Sequence, residues 1–174
     1  GVLHLSDATA TVDATSVRCD ATAAATAGGA ALLTDGSIAT LTLSSIDGCS
    51  AARGGALRIE STATAPRGPG RTDSYSIAAS PSLTMVRSSL ANNSATVSGG
   101  AVDATGTSEL PVLLQLINST LADSSCDACT GGALSVSAVE LTLADSTLAG
   151  SRAAYGAGVH ASASTVAING TTVR

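Results

Sequence analysis

Residues 118–150 read NSTLADSSCDACTGGALSVSAVELTLADSTLAG and contain the pattern that repeats along this chain. It begins with a cassette of two hydroxyl residues and one aliphatic residue, here Ser119-Thr120-Leu121, which returns as Ser146-Thr147-Leu148. A glycine pair with an alternating stretch lies between the two cassettes, from Gly131 to Val136. The whole chain holds six cassettes, whose aliphatic residues are Val17, Ile46, Leu90, Leu121, Leu148 and Val173.

The spacing of the cassettes predicts a solenoid. Their aliphatic residues lie 29, 44, 31, 27 and 25 positions apart. Apolar and polar residues alternate within a repeat, as in Leu141-Thr142-Leu143, which is the period of a β-strand. Stacking such repeats about 4.8 Å apart buries an apolar face that one repeat cannot bury alone. We therefore predict an all-β parallel β-helix of about six coils, forming one domain over residues 1–174.

Equivalent positions in stacked coils should form columns. The cassette aliphatics would form one inward column, and the residues five positions earlier a second, made of Val12, Leu41, Met85, Leu116, Leu143 and Ile168. The cassette hydroxyls are expected to bond along the stack or to satisfy the backbone of the turns. The glycine motifs are expected at corners that need positive φ or close backbone approach.

The glycine motif also carries a resemblance to a known family. It reads Gly-Gly-Ala-aliphatic at Gly54–Leu57, Gly99–Val102 and Gly131–Leu134, with looser forms at Gly28 and Gly156. Together with Leu90-Ala91-Asn92-Asn93, it resembles the repeats of chlamydial polymorphic membrane proteins and their bacterial and algal relatives. That resemblance implies a right-handed parallel β-helix of the pectate-lyase-like superfamily. It also implies a surface-exposed passenger domain, often adhesive.

Composition excludes several functions. Only 1% of the residues are aromatic, so no platform for stacking bases is available. The net charge is −5 and the pI is about 4.7, which gives no basic footprint for nucleic acid. No apolar run approaches the roughly 20 residues of a membrane span. We expect no nucleic-acid partner and no membrane span in this segment.

Cysteines and glycosylation signals point to an oxidising compartment. Stacking brings Cys19 near Cys49, and Cys126 and Cys129 lie close together in what we predict to be one turn. A structural disulfide is favoured there over a redox dithiol or half of a zinc site. Three asparagines stand in N-x-S/T sequons: Asn92, Asn118 and Asn169. The chain shows no initiator Met, signal peptide or capping segment, and we interpret it as a piece of a longer, extracellular or surface-bound protein.

One segment interrupts the repeats, at about 61–82. It holds three of the four prolines and is expected to project as a loop. Arg67 and Arg71 would present positive charge on an acidic body, with Tyr75 nearby. These three residues are a candidate site for an anionic group, against the alternative of a solvated loop without a ligand.

Catalysis and metal binding have little support in the sequence. The acids Asp13, Asp47 and Asp145 occupy different offsets from the cassette, so they do not form a column. Asp123 and Asp127 are predicted to share a turn that could hold a weak cation. His4 and His160 lie far apart, and His160 is expected on an outward face. We expect no enzyme activity, no metal and no cofactor.

Three functions follow as expectations. The first is a non-catalytic extracellular or surface repeat domain, acting as a stalk or adhesive passenger. It would be bacterial or eukaryotic, and its partners would be a cell-surface glycan or protein or neighbouring coils of the parent chain. The first alternative is a polysaccharide lyase-like or hydrolase-like enzyme. The second is an ice-binding surface on the outward column Thr11, Thr40, Thr84, Gln115, Thr142 and Ala167.

Overall fold

The structure is a computed structural model that describes residues 3–19, 25–62 and 79–174. The described ranges contain 23 β-strands and no helix. The first three turns hold β1 (Leu3–Ser6), β2 (Thr9–Asp13), β3 (Ser16–Arg18), β4 (Ala25–Ala27), β5 (Ala31–Thr34), β6 (Ile38–Thr42), β7 (Ser45–Asp47), β8 (Ser50–Arg53), β9 (Leu57–Glu60), β10 (Ser82–Val86), β11 (Ser89–Ala91) and β12 (Ser94–Ser98). The remainder holds β13 (Val102–Thr105), β14 (Val112–Ile117), β15 (Thr120–Ala122), β16 (Ser125–Thr130), β17 (Leu134–Ser137), β18 (Val139–Ala144), β19 (Thr147–Ala149), β20 (Arg152–Tyr155), β21 (Val159–Ser162), β22 (Thr165–Asn169) and β23 (Thr172–Val173).

Every strand pairs in parallel with the equivalent strand of an adjacent turn, which confirms the predicted parallel β-solenoid. The strands form four sheets. Sheet A contains β1, β5, β9, β13, β17 and β21; sheet B contains β2, β6, β10, β14, β18 and β22; sheet C contains β3, β7, β11, β15, β19 and β23; sheet D contains β4, β8, β12, β16 and β20.

The number of turns differs slightly from the prediction of six coils. Five turns have all four strands, and the sixth has strands in sheets A, B and C only. Each cassette marks the corner between sheets B and C rather than a whole turn. Counting cassettes therefore counts corners, and the last corner belongs to an incomplete turn.

A single residue in the left-handed region makes that corner. Its φ is 50° at Leu43, 50° at Arg87, 50° at Asn118 and 48° at Asp145, and the cassette follows at once. The first cassette hydroxyl then donates to the carbonyl two residues earlier, for example from Ser88 Oγ to Val86 O at 3.0 Å. The cassette is thus a tight turn in which a hydroxyl satisfies a backbone carbonyl.

The same hydroxyls form a buried ladder between turns. Ser88 Oγ accepts the backbone N–H of Ser44 at 3.1 Å, and Ser119 Oγ accepts that of Ser88 at 3.2 Å. Ser146 Oγ continues the ladder to Ser119 at 3.1 Å. The prediction that cassette hydroxyls bond along the stack or satisfy the turns is confirmed for the first hydroxyl, which does both.

The corner between sheets D and A depends on glycine. Gly99 has φ +62°, and a Cβ on the following residue, Gly100, would meet the carbonyl oxygen of Gly132 in the next turn at 2.1 Å. A Cβ on Gly55 would likewise meet the carbonyl oxygen of Gly100, also at 2.1 Å. Consecutive turns approach here backbone to backbone, so the second glycine of the pair has no substitute.

The predicted columns fill the interior except in the last turn, where Ile168 is 54% exposed. Val12, Leu41, Met85, Leu116, Leu143 and Ile168 are in direct register in sheet B. Ile46, Leu90, Leu121 and Leu148 of the cassette column are buried, whereas Val173 in the terminal strand is 52% exposed. No helix within the described ranges is long and apolar enough to cross a membrane.

We expect Ser88→Ala to lower the free energy of unfolding by about 1–3 kcal/mol, because it leaves the buried Ser44 N–H without an acceptor. Ser89→Ala is the matched control, since Ser89 belongs to the same cassette but lies on the half-exposed face of β11. It should change stability by no more than about 0.5 kcal/mol. Urea unfolding followed by circular dichroism measures both. Equal losses in the two variants would contradict the role of the ladder.

Candidate functional site

A column of polar side chains runs along the face of sheet A that points away from the interior. Register pairs Arg58 with Asp103, Asp103 with Ser135, and Ser135 with His160. Each of these residues follows an aliphatic residue of its strand: Leu57, Val102 and Leu134 are at most 1% exposed, and Val159 before His160 is partly buried. The alternation of a β-strand therefore directs the column outward.

The column forms part of a groove at the corner between sheets D and A. Asp103, Ser135 and His160 line the groove together with Arg53, Ser98 and Thr130, which come from the ends of the sheet D strands. The second outward column of sheet A, Thr105, Ser137 and Ser162, also contributes. The groove has a volume of about 410 Å³.

Asp103 is the unusual group in this groove. It is only 3% exposed, and its Oδ2 atom has no hydrogen-bond partner. The Ser98 hydroxyl, in a residue 8% exposed, lies beside the carboxyl but outside hydrogen-bond geometry, and it has no other partner. Burial raises the pKa of Asp103 above its ordinary 3.8, and nearby Ser98, Arg58 and Arg53 offset only part of the rise.

The charges around Asp103 divide into one pair and one separate cation. Arg58 donates from Nε to Glu60 Oε2 at 3.0 Å and forms an ion pair with that carboxylate. Arg53 is exposed and makes no ion pair with the described residues. The groove thus has one separate guanidinium and one buried carboxyl.

Hydroxyls and two valines, Val97 and Val136, complete the groove lining. Thr130 Oγ1 and Ser135 Oγ lie 3.4 Å apart and share a hydrogen bond. Both are next to the unsatisfied pair, since Ser98 is in register with Thr130 and Asp103 with Ser135. The site therefore offers several groups that can donate and accept in a short span.

Two disulfides lie elsewhere on the solenoid. Cys19 is bonded to Cys49 across two consecutive turns, with 4.8 Å between their Cα atoms. Cys126 is bonded to Cys129, with 5.4 Å between their Cα atoms. The prediction that this second pair lies in a turn is wrong: both residues are in β16, where a shift of register admits extra residues. Disulfides of this kind are consistent with an oxidising, extracellular environment.

The other predicted site residues fall into two groups. Arg67, Arg71 and Tyr75, with most of the insertion at about 61–82, lie outside the described residues, so the anion site stays a prediction. The sequon asparagines Asn92, Asn118 and Asn169 are all exposed. Asn92 Nδ2 donates to Asp47 Oδ1 at 2.8 Å.

The scattered acids occupy separate places. Asp13 ends β2 in sheet B, and Asp47 ends β7 in sheet C. Asp123 precedes β16, whereas Asp127 is within that strand, so the predicted shared turn is wrong. Within the three described ranges, no three His, Cys, Asp or Glu residues gather closely enough to hold a metal.

The threonine column is in register as predicted. Thr11, Thr40, Thr84, Gln115, Thr142 and Ala167 stack along the outward face of sheet B. Exposed apolar residues interrupt the neighbouring column, including Ile38 at 46% and Leu113 at 38% exposure. This face is mixed in character rather than a uniform array of hydroxyls.

Sequence reasoning missed the groove, although a signal for it exists. Aligning the glycine motifs places Leu32, Arg58, Asp103, Ser135 and His160 at one position, four residues after the first glycine. The position varies in chemistry from turn to turn, so a search for repeated residues passes over it. Only the stacking of turns makes these residues neighbours.

A scan against protein-family models, a search of curated proteins and a search of solved structures each gave no match.

We expect Asp103→Asn to stabilise the protein near neutral pH. Because the folded-state pKa is raised, the folded protein holds this proton to a higher pH than the unfolded chain does. The contribution of Asp103 to stability is therefore fully present below its ordinary pKa of 3.8 and is lost as the pH rises through the folded-state pKa. The neutral amide removes this loss, so the gain in unfolding free energy should shrink to near zero in acid.

The exposed strand residue Asp127 provides the control, because Asp127→Asn should change stability by no more than about 0.5 kcal/mol. Urea unfolding at several pH values makes the measurement. A loss of stability in Asp103→Asn at neutral pH, or a gain that does not depend on pH, would contradict the assignment.

Removing the inter-turn disulfide should destabilise the protein more than removing the local one. Cys19→Ala with Cys49→Ala removes a link between residues 30 apart in sequence and should cost about 3.6 kcal/mol. Cys126→Ala with Cys129→Ala opens a separation of 3 and should cost less, about 2 kcal/mol. Denaturant unfolding of both double variants tests the order, and a reversed order would refute it.

Proposed function

We propose that this chain is a non-catalytic, extracellular or surface-exposed repeat domain that serves as a stalk or adhesive passenger. The observation that carries the proposal is a parallel solenoid whose consecutive turns are joined by a disulfide, Cys19–Cys49. A continuous ladder of this kind gives a rigid rod with long outward faces. The disulfide supports a location outside the reducing cytosol.

The adhesive part of the proposal draws on the repeat motif. Gly-Gly-Ala-aliphatic segments such as Gly99–Val102 resemble the polymorphic membrane protein repeats, whose passenger domains are exposed at the surface. Partners of the adhesive surface are then a cell-surface glycan or protein. The exposed sequons Asn92, Asn118 and Asn169 would carry glycans in a eukaryotic secretory product.

The groove supports binding better than cleavage. Glycoside hydrolysis uses two carboxyl groups facing the same bond, whereas Asp103 is the one acid among the described residues that line this groove. Ser135 stands between Asp103 and His160, which puts the latter two about 9.6 Å apart, or two rungs of about 4.8 Å. A Ser-His-Asp relay needs the imidazole in contact with both partners.

The state of the cysteines in the native source tests the proposed location. Thiols are blocked at the moment of lysis, and peptides are then analysed by mass spectrometry without reduction. We expect Cys19 linked to Cys49 and Cys126 linked to Cys129, with no blocked thiol. Glycan on the sequon asparagines would indicate a eukaryotic secretory product, and bare asparagines would favour a bacterial passenger. Mostly blocked thiols would place the protein in a reducing compartment and refute the proposal.

A further inference from the structure

The unsatisfied polar atoms of the groove call for a partner. Buried side-chain oxygens almost always have a hydrogen bond, and each one left without costs free energy. Asp103 Oδ2 and Ser98 Oγ both lack one, both line the groove, and their residues are 3% and 8% exposed. Two such atoms beside each other in a concave site offer hydrogen bonds to a ligand.

The charge of the groove favours a neutral ligand. Arg58 is neutralised by Glu60, and the remaining charged groups are the Arg53 guanidinium and the Asp103 carboxyl, which are of opposite sign. A polyanion would meet the buried Asp103, in a protein of net charge −5. A polycation would meet Arg53. The groove therefore offers no row of like charges that would attract a polyanion or a polycation.

The hydrogen-bonding groups favour a ligand rich in hydroxyls. A sugar hydroxyl can donate to Asp103 Oδ2 while it accepts from the Ser98 hydroxyl, which would satisfy both atoms at once. Thr130, Ser135 and His160 place further hydrogen-bonding groups along the groove. The volume of about 410 Å³ is within the range of small-molecule sites.

We propose that the groove along Asp103, Ser135 and His160 binds a neutral saccharide, with the Asp103 carboxyl and the Ser98 hydroxyl as its principal contacts. The inference deepens the proposed adhesive role and rests on it, because it supplies the glycan-binding position that adhesion requires. Asp103 and Ser98 are binding residues here, and no bond of the sugar is broken.

The test uses the purified chain and a panel of methyl glycosides of neutral hexoses, a 6-deoxyhexose and an N-acetylhexosamine. Binding is followed by saturation-transfer difference NMR and calorimetry at millimolar concentrations. We expect at least one probe to bind. Asp103→Asn should weaken that probe about tenfold, and Ser98→Ala should weaken it by a smaller factor.

Matched controls separate the groove from the rest of the surface. Asp127→Asn and Ser94→Ala lie in sheet D strands but do not line the groove, so both should leave binding unchanged. Circular dichroism and thermal unfolding check that each variant is folded. Absence of binding by every probe, or equal affinity in Asp103→Asn and the native chain, overturns the proposal.

Failure here and failure of the proposed function are distinguishable. Sugar binding is measured on purified protein, whereas the cysteine state is measured in the native source. Oxidised cysteines with no sugar binding would refute the groove assignment and leave the surface role. Blocked thiols with sugar binding that depends on Asp103 would refute the surface role and leave a saccharide site.

Discussion

The close approach of backbone to backbone at the corner between sheets D and A is the constraint on which the other features depend. The second glycine of each pair faces the carbonyl oxygen of the next pair at a distance that excludes a Cβ, as at Gly55 and Gly100. This contact sets how each turn enters sheet A. Once the entry is fixed, parallel register carries it through sheets B and C, and the apolar columns meet inside. At the opposite corner, the buried hydroxyls of Ser88 and its equivalents accept the hydrogen bonds that the turn backbone would otherwise donate to water.

Much of this architecture is predictable because it repeats. The columns through Leu41 and Leu90 follow from spacing alone, since stacking requires the same residue type at the same place in each turn. The glycine corners follow for the same reason. The number of complete turns is harder to predict, because each cassette marks only one of the four corners of a turn. The Cys126–Cys129 segment was misplaced because a bulge within β16 has no signature distinct from a turn at the level of sequence.

The groove was not predictable in the same way, because its chemistry does not repeat. Asp103, Ser135 and His160 share a position but no property, and only the ladder makes them neighbours. The pKa of Asp103 depends further on residues such as Ser98 that come from another sheet. The proposed site thus lies at positions where the chemistry of the repeat changes from turn to turn.

The outward position that follows each glycine motif has an evolutionary consequence. Its occupants, Leu32, Arg58, Asp103, Ser135 and His160, differ freely while the flanking inward residues stay aliphatic. One substitution per turn therefore changes the outward face of sheet A, including the part that lines the groove, without changing an inward residue. Duplication of a turn would lengthen that face by one strand spacing, about 4.8 Å. In such a solenoid, single substitutions would change which ligand the outward face fits, and duplication of a turn would make room for a longer ligand.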